Sequence, residues 1–284
     1  MDHREGRWAK EILACQHADG TWGNMFHSLA QPDGKHPLTT EQALRRLMRL
    51  GFTAQDEAIR KALDCMVACL RGERKIDNYW EKGQDWAQYT RLMLSAWIRA
   101  FDPDQPEALA FARKWAEPVE TAFADGKYDD VVYQTAYAQT FYDGAKPPQR
   151  ANLAVLYPVQ VLQGVLTQAT EQRLIQYLLA GEKGIYYVYD KPLNQLPAVF
   201  ASKETSRYLA AVELLAGYPA GRKLLSFVTD WLEANRDAEG QWDLGPKAKD
   251  MVYLPLSDDW RSAQFRKQDC TERIEALLNK LREE

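Results

Sequence analysis

No stretch of this chain approaches the run of about 18 apolar residues that a membrane-crossing helix requires, which rules out an ordinary helical span. The start, Met1-Asp2-His3-Arg4-Glu5-Gly6-Arg7, has no apolar segment behind a basic flank, so neither a secretory nor a transit signal is expected and the cytoplasm is the expected compartment. Positive charge is not in excess: 36 Lys and Arg stand against 40 Asp and Glu, a formal net charge of -4. A protein that grips phosphate backbones needs a basic face, so nucleic acid is not an expected partner. Cysteine is scarce. Its four copies, Cys15, Cys65, Cys69 and Cys270, make no disulfide framework, and three of them lie in apolar helical stretches where a thiol behaves as a small hydrophobe. Cys65 and Cys69, at i and i+4, could share a helix face and reach a metal, but no His falls nearby and no metal site or cofactor is implied. Phosphate-cradling Gly-rich motifs are missing as well. No segment alternates with period two for long enough to suggest a sheet.

What the chain has is a helical repeat. With 46% hydrophobic residues among its 284, it can bury a sizeable core, and a single domain over 1–284 is expected. Apolar-periodic runs such as Trp8-Ala9-Lys10-Glu11-Ile12-Leu13-Ala14 and Phe227-Val228-Thr229-Asp230-Trp231-Leu232 each end in a turn with an aromatic residue. Five such turns end on Trp22, Trp80, Tyr128, Tyr186 and Trp242, at separations of 58, 48, 58 and 56 residues. Glycine precedes the aromatic in four of the five, where the helix must stop. Each turn is followed by a second helix with a polar start and a threonine: Thr39-Thr40-Glu41, Gln88-Tyr89-Thr90, Tyr133-Gln134-Thr135, Glu204-Thr205-Ser206 and Cys270-Thr271-Glu272. The count comes to ten to twelve helices, an all-α chain of five to six helix pairs.

Gln16-His17-Ala18-Asp19-Gly20-Thr21-Trp22 resembles the Gln-x3-Gly-x-Trp turn of the terpenoid cyclase and protein prenyltransferase superfamily, and Asn235-Arg236-Asp237-Ala238-Glu239-Gly240-Gln241-Trp242 is similar to a degenerate second copy. The resemblance implies an α/α toroid in which such turns link outer helices to inner ones around a central cavity. It does not bring that superfamily's chemistry along. The Asp-x-Asp-Asp run of alkene-protonating cyclases has no counterpart, since Tyr128-Asp129-Asp130 and Ser257-Asp258-Asp259 lack the first Asp. The zinc-binding Asp-x-Cys of the prenyltransferases is not matched either, because Asp64-Cys65 and Asp269-Cys270 lack the spacer. The chain thus reads as a divergent relative without those motifs.

If the second helices form an inner ring, their N-terminal ends gather Asp129, Asp130, Asp258 and Asp259, with Glu41 and Glu204 beside Arg207, Arg261 and Arg273. Exposed N–H groups at helix starts favour anions there. Paired carboxylates are candidate general acids and bases, and the two Asp pairs are the candidate catalytic residues. The competing reading is that Asp129 and Asp130 cap the helix that begins at Val131 and that Asp258 or Asp259 caps the last helix. Trp22, Trp80, Trp242, Tyr253 and Trp260 are candidate ligand-binding aromatics, able to stack on a sugar ring or to plug the ring ends. His27 and His36 sit in the long loop from Gly23 to Leu38, a candidate lid, and His27 completes the ligand-binding set with Glu204, Arg207, Arg261 and Arg273. Asp190-Lys191-Pro192-Leu193-Asn194-Gln195-Leu196-Pro197 is a second long connection, too rich in proline for a helix.

These residues point to a small polar ligand, such as a carbohydrate, held in a cavity with acid/base groups for hydrolysis or elimination. An isoprenoid-binding protein or a non-catalytic interaction scaffold are the alternatives. Whether the chain is an enzyme, and its oligomeric state, stay open at this level.

Overall fold

A computed structural model describes residues 2–24, 26–27, 38–76 and 85–283, and the described chain is all-helical, with isolated β-bridges but no strand. It divides into two compact units, Met1–Ala112 and Arg113–Glu284.

The first unit holds a 3-10 turn at His3–Glu5, then α1 (Arg7–Leu13), α2 (Thr40–Arg49), α3 (Glu57–Leu70), α4 (Trp86–Phe101) and the start of α5 (Pro106–Ala122). α2 begins on a reciprocal cap: the Thr39 hydroxyl accepts from the Gln42 N–H, and the Gln42 side chain accepts from the Thr39 N–H. α4 begins where Asp85 accepts from the Gln88 N–H. Its body, Leu92-Met93-Leu94-Ser95-Ala96-Trp97-Ile98, is apolar on every side but for Ser95 and is buried throughout. α1 and α3 bury one stripe each, Ala9 with Ile12, and Ile59, Ala62, Leu63, Cys65 and Met66. Two burial patterns follow from the sequence: a single buried stripe in α1 and α3, and in α4 a run that is buried throughout.

The second unit continues through α6 (Asp130–Tyr142), α7 (Leu156–Val161), α8 (Gln168–Ala180), α9 (Lys203–Leu215), a 3-10 segment at Pro219–Leu225, α10 (Ser226–Ala234), a 3-10 turn at Pro246–Ala248 and α11 (Ala263–Arg282). α9 is its enclosed helix, with Tyr208, Leu209, Ala210, Ala211, Val212 and Leu215 buried. α6, by contrast, buries only Tyr133 and Tyr137 and leaves Val131 74% exposed. Gln134, Thr135, Gln139 and Thr140 interrupt its apolar face, so it presents a seam rather than an enclosed surface. α11 begins at Ala263, well before the Cys270-Thr271 start expected from sequence, so Thr271 and Arg273 sit inside the helix.

Two of the five aromatic turns share four hydrogen bonds. In the first, His17 N–H donates to Thr21 O at 2.9 Å, Gly20 N–H to His17 O at 3.0 Å and the Trp22 indole N–H to Ile12 O at 2.8 Å. In the second, Asp237 N–H donates to Gln241 O at 2.8 Å, Gly240 N–H to Asp237 O at 3.0 Å and the Trp242 indole N–H to Leu232 O at 2.7 Å. In both, the tryptophan's backbone N–H donates to a threonine hydroxyl on the following helix, Thr40 at 3.0 Å and Thr271 at 3.1 Å. Gly20 takes φ +90° and lies so close to α3 that a Cβ there would fall 2.4 Å from Lys61 O. The other turns are held differently. Tyr128 directs its hydroxyl to Asp130, Tyr186 pairs its backbone with Ala154 and Leu156, and the hydroxyls of Thr135 and Thr205 donate to Val131 O and Val199 O. The turn at Trp80 lies outside the described residues.

Candidate functional site

In the first unit, the N-terminal ends of α2 and α4 bring together polar and aromatic groups. Tyr89, Met93 and Trp97 recur at i, i+4 and i+8, one face of α4. At one end of that face, the Trp97 indole N–H donates to Glu41 Oε1 at 3.1 Å, and Arg45 Nη2 donates to the same oxygen at 3.0 Å. Glu41 is fully buried on the first turn of α2, where the helix dipole favours its charge, and its N–H donates to Phe26 O at 3.0 Å. Phe26 leads into His27, a buried imidazole whose Nε2 shares a hydrogen bond of 2.8 Å with the Tyr89 hydroxyl. The His27 and Tyr89 rings stack at 5.9 Å, and Trp86 meets Tyr89 edge-on at 5.4 Å. Trp86 and Tyr89 are half-buried, so one side of this cluster meets solvent.

In the second unit, buried polar groups tie the loop before α11 to the helices. Arg273 donates from Nε to Glu213 Oε1 at 2.7 Å, from Nη1 to Ser206 Oγ at 2.8 Å and from Nη2 to Ser206 O at 2.8 Å. The Ser206 hydroxyl donates to Asp250 Oδ2 at 2.9 Å, and Asp250 Oδ1 accepts from the backbone N–H groups of Val252, Tyr253 and Leu254. The Arg273 guanidinium also lies 5.1 Å from the Tyr253 ring centre. Burial works against the charge on Arg273, but Glu213 and Asp250 outweigh it and raise its pKa. One turn earlier on α11, Asp269 Oδ2 accepts from the N–H groups of Leu256 and Ser257 and from the Ser257 hydroxyl. Its Oδ1 is buried with no hydrogen-bond partner among the described residues. With all three of its nitrogens engaged, Arg273 is a pin for the 250–254 segment.

Asp129 is the N-cap of α6, its Oδ1 accepting from the N–H groups of Val131 at 2.8 Å and Val132 at 3.0 Å. Asp130 accepts from Tyr128 and Gln134 and pairs with Arg150. Asp259 shapes the turn ahead of α11, accepting from Arg261 N–H at 3.2 Å and Ser262 N–H at 3.4 Å, while Ser262 takes the N-cap position; Asp258 and Arg261 are exposed. Glu204 binds the Tyr189 hydroxyl at 3.2 Å and Lys191 at 2.9 Å, and Arg207 is exposed on α9. Burial pushes the Tyr189 phenol up in pKa, and the Glu204 charge adds to this. Trp22, Trp242 and Trp260 are buried, their indole N–H groups donating to backbone carbonyls, that of Trp260 to Pro246 O at 3.0 Å. Trp80 and His36 lie outside the described residues.

Sequence reasoning singled out His27, Tyr253 and Arg273 but not Tyr89, Glu213 or Asp250. Tyr89 was visible only as part of a helix start; its place on the Tyr89, Met93, Trp97 face was the available signal. Asp250, between Lys249 and Met251, carried none. Among the described residues no group of three or more His, Cys, Asp or Glu side chains is placed to hold a metal ion, and no helix is long and apolar enough to cross a membrane. The chain matches no family model, no curated protein and no solved structure.

Proposed function

We propose that this chain binds a small polar ligand of carbohydrate type at the start of α4, with Trp86 and Tyr89 as the stacking surface and His27 as the polar anchor. The observation that carries this reading is the 2.8 Å hydrogen bond between His27 Nε2 and the Tyr89 hydroxyl, a buried imidazole coupled to a half-buried phenol. An aromatic face with a polar tip suits a sugar, whose C–H faces stack while its hydroxyls exchange hydrogen bonds. A phenol–imidazole pair can also move a proton. Acid/base assistance therefore falls to His27 and Tyr89 in this reading, because Asp129 spends an oxygen on the α6 cap and Asp130 is paired with Arg150. As the frame, we propose an α/α toroid akin to that of the terpenoid cyclases and prenyltransferases, supported by the two turns of like construction at Trp22 and Trp242.

Titration calorimetry of the intact chain against a panel of mono- and disaccharides tests the proposal. At least one sugar should saturate, and Tyr89→Phe, which removes one hydroxyl and its bond to His27, should weaken it about tenfold, roughly 1.4 kcal/mol, while the chain stays folded by circular dichroism. Saturation by no member of the panel, or equal affinity in Tyr89→Phe, would refute the reading.

A further inference from the structure

We infer that Cys65 and Cys69 form a bidentate site for a thiophilic electrophile, one that takes two sulfurs from a single helix face. The two residues sit at i and i+4 on α3, so their side chains are neighbours one turn apart. Cys65 is buried and Cys69 half-buried, which gives the pair one shielded and one approachable sulfur. A hydrogen bond from Cys69 lowers the Cys65 thiol to about 7, with burial opposing and Arg74 assisting, while the Cys69 thiol is pushed up by the same bond. A lowered thiol pKa favours the thiolate, the form that attacks a soft electrophile.

Helix geometry decides what can bridge them. Cβ atoms at i and i+4 stand about 5–6 Å apart, whereas a disulfide requires roughly 3.5–4.5 Å. An intact α3 therefore resists direct closure and leaves room for one soft atom between the sulfurs. No third His, Cys, Asp or Glu among the described residues joins them in a metal-holding group, so the fitting ligand needs only two sulfurs from the protein. A monosubstituted trivalent arsenical has that requirement. With phenylarsine oxide, two As–S bonds form, two S–H bonds break and the arsenic-bound oxygen leaves as water, with no change of oxidation state.

Arg74 Nη2 pairs with Asp19 Oδ2 at 3.0 Å, linking the segment after α3 to the first aromatic turn. The other two cysteines make internal controls. Cys270 is fully buried with its thiol pushed up to about 12, and Cys15, half-buried in the turn after α1, has no cysteine within four residues in sequence.

The test is intact-mass spectrometry of the full reduced chain after phenylarsine oxide treatment with excess glutathione, a monothiol competitor. The unsubstituted chain, Cys15→Ser and Cys270→Ser should each retain one equivalent that a dithiol then removes, and Cys65→Ser and Cys69→Ser should retain none. No retention by the unsubstituted chain, or retention by either of the last two variants, overturns the inference. Dibromobimane on the unsubstituted chain gives a reading independent of how the variants fold. A cross-linked peptide containing Cys65 and Cys69 supports the site, and two separately labelled cysteines count against it.

Discussion

Arg236 holds in the second aromatic turn the place that Gln16 holds in the first. Gln16 Nε2 donates to Gly20 O at 3.0 Å and, with its other hydrogen, to Ala58 O on α3 at 2.8 Å. Arg236 reproduces the first of these bonds, from Nε to Gly240 O at 2.9 Å. It spends the rest of its guanidinium on Glu233 at 3.7 Å and on the face of Trp242, 5.0 Å from the ring centre. A side chain of different chemistry thus satisfies the same carbonyl, which is why the second copy reads as degenerate in sequence and regular in structure. Arg236→Gln should keep the turn bond and lose the exposed pair with Glu233 and the cation–π contact, at a cost of about 0.5–1 kcal/mol. Arg236→Ala loses all three and should cost about 1–2 kcal/mol. Urea midpoints of the two variants check this, and equal midpoints would mean that the bond to Gly240 carries no stability.

Turns of like sequence differ in what they rest on, and glycine substitution separates them. Gly20 and Gly126 share φ near +90°, but a Cβ on Gly20 would meet Lys61 O and backbone atoms beside it, whereas one on Gly126 would meet nothing within 4 Å. Gly126→Ala should therefore cost only the left-handed backbone penalty, about 1–2 kcal/mol. Gly20→Ala adds a backbone collision with α3 and should cost clearly more, read as a larger fall in urea midpoint. The tryptophan copies were legible because an indole N–H is a fixed donor that needs an acceptor when buried, and the carbonyl ten residues upstream supplies it in both. Tyrosine at the same place has no donor on its ring edge. Tyr128 turns its hydroxyl to Asp130 instead, and Tyr186 stays 56% exposed. An aromatic marker at regular spacing was therefore a better guide to where helices end than to how the turn is held.

The all-helical class was legible across the chain, because apolar residues recur at helical spacing and a run such as Leu92 to Ile98, interrupted only by Ser95, leaves no solvent-facing side. The polar partnerships were not: His27 meets Tyr89 62 residues away, and Arg273 meets Ser206 67 residues away, separations that carry no periodic signal. Those long-range bonds stay within one compact unit or the other. The hydrogen bonds named for the first turn lie between residues 12 and 74. The second unit leans on α11, which supplies Thr271 to Trp242, Arg273 to Glu213 and Ser206, Asp269 to the backbone of Leu256 and Ser257, and Arg266 in a two-pronged pair with Asp243 at 2.7 and 2.8 Å. Ending the chain after Ser262 would leave these partners without their donors and acceptors, the charged ones at the heaviest cost. The Trp242 indole N–H should then exchange freely with solvent while that of Trp22 keeps its protection, as followed by deuterium exchange of the indole protons. Joint loss at both positions would show instead that the stability of the first unit depends on the second, through α5 or otherwise, and retained protection at Trp242 would show that α11 is dispensable for its own turn.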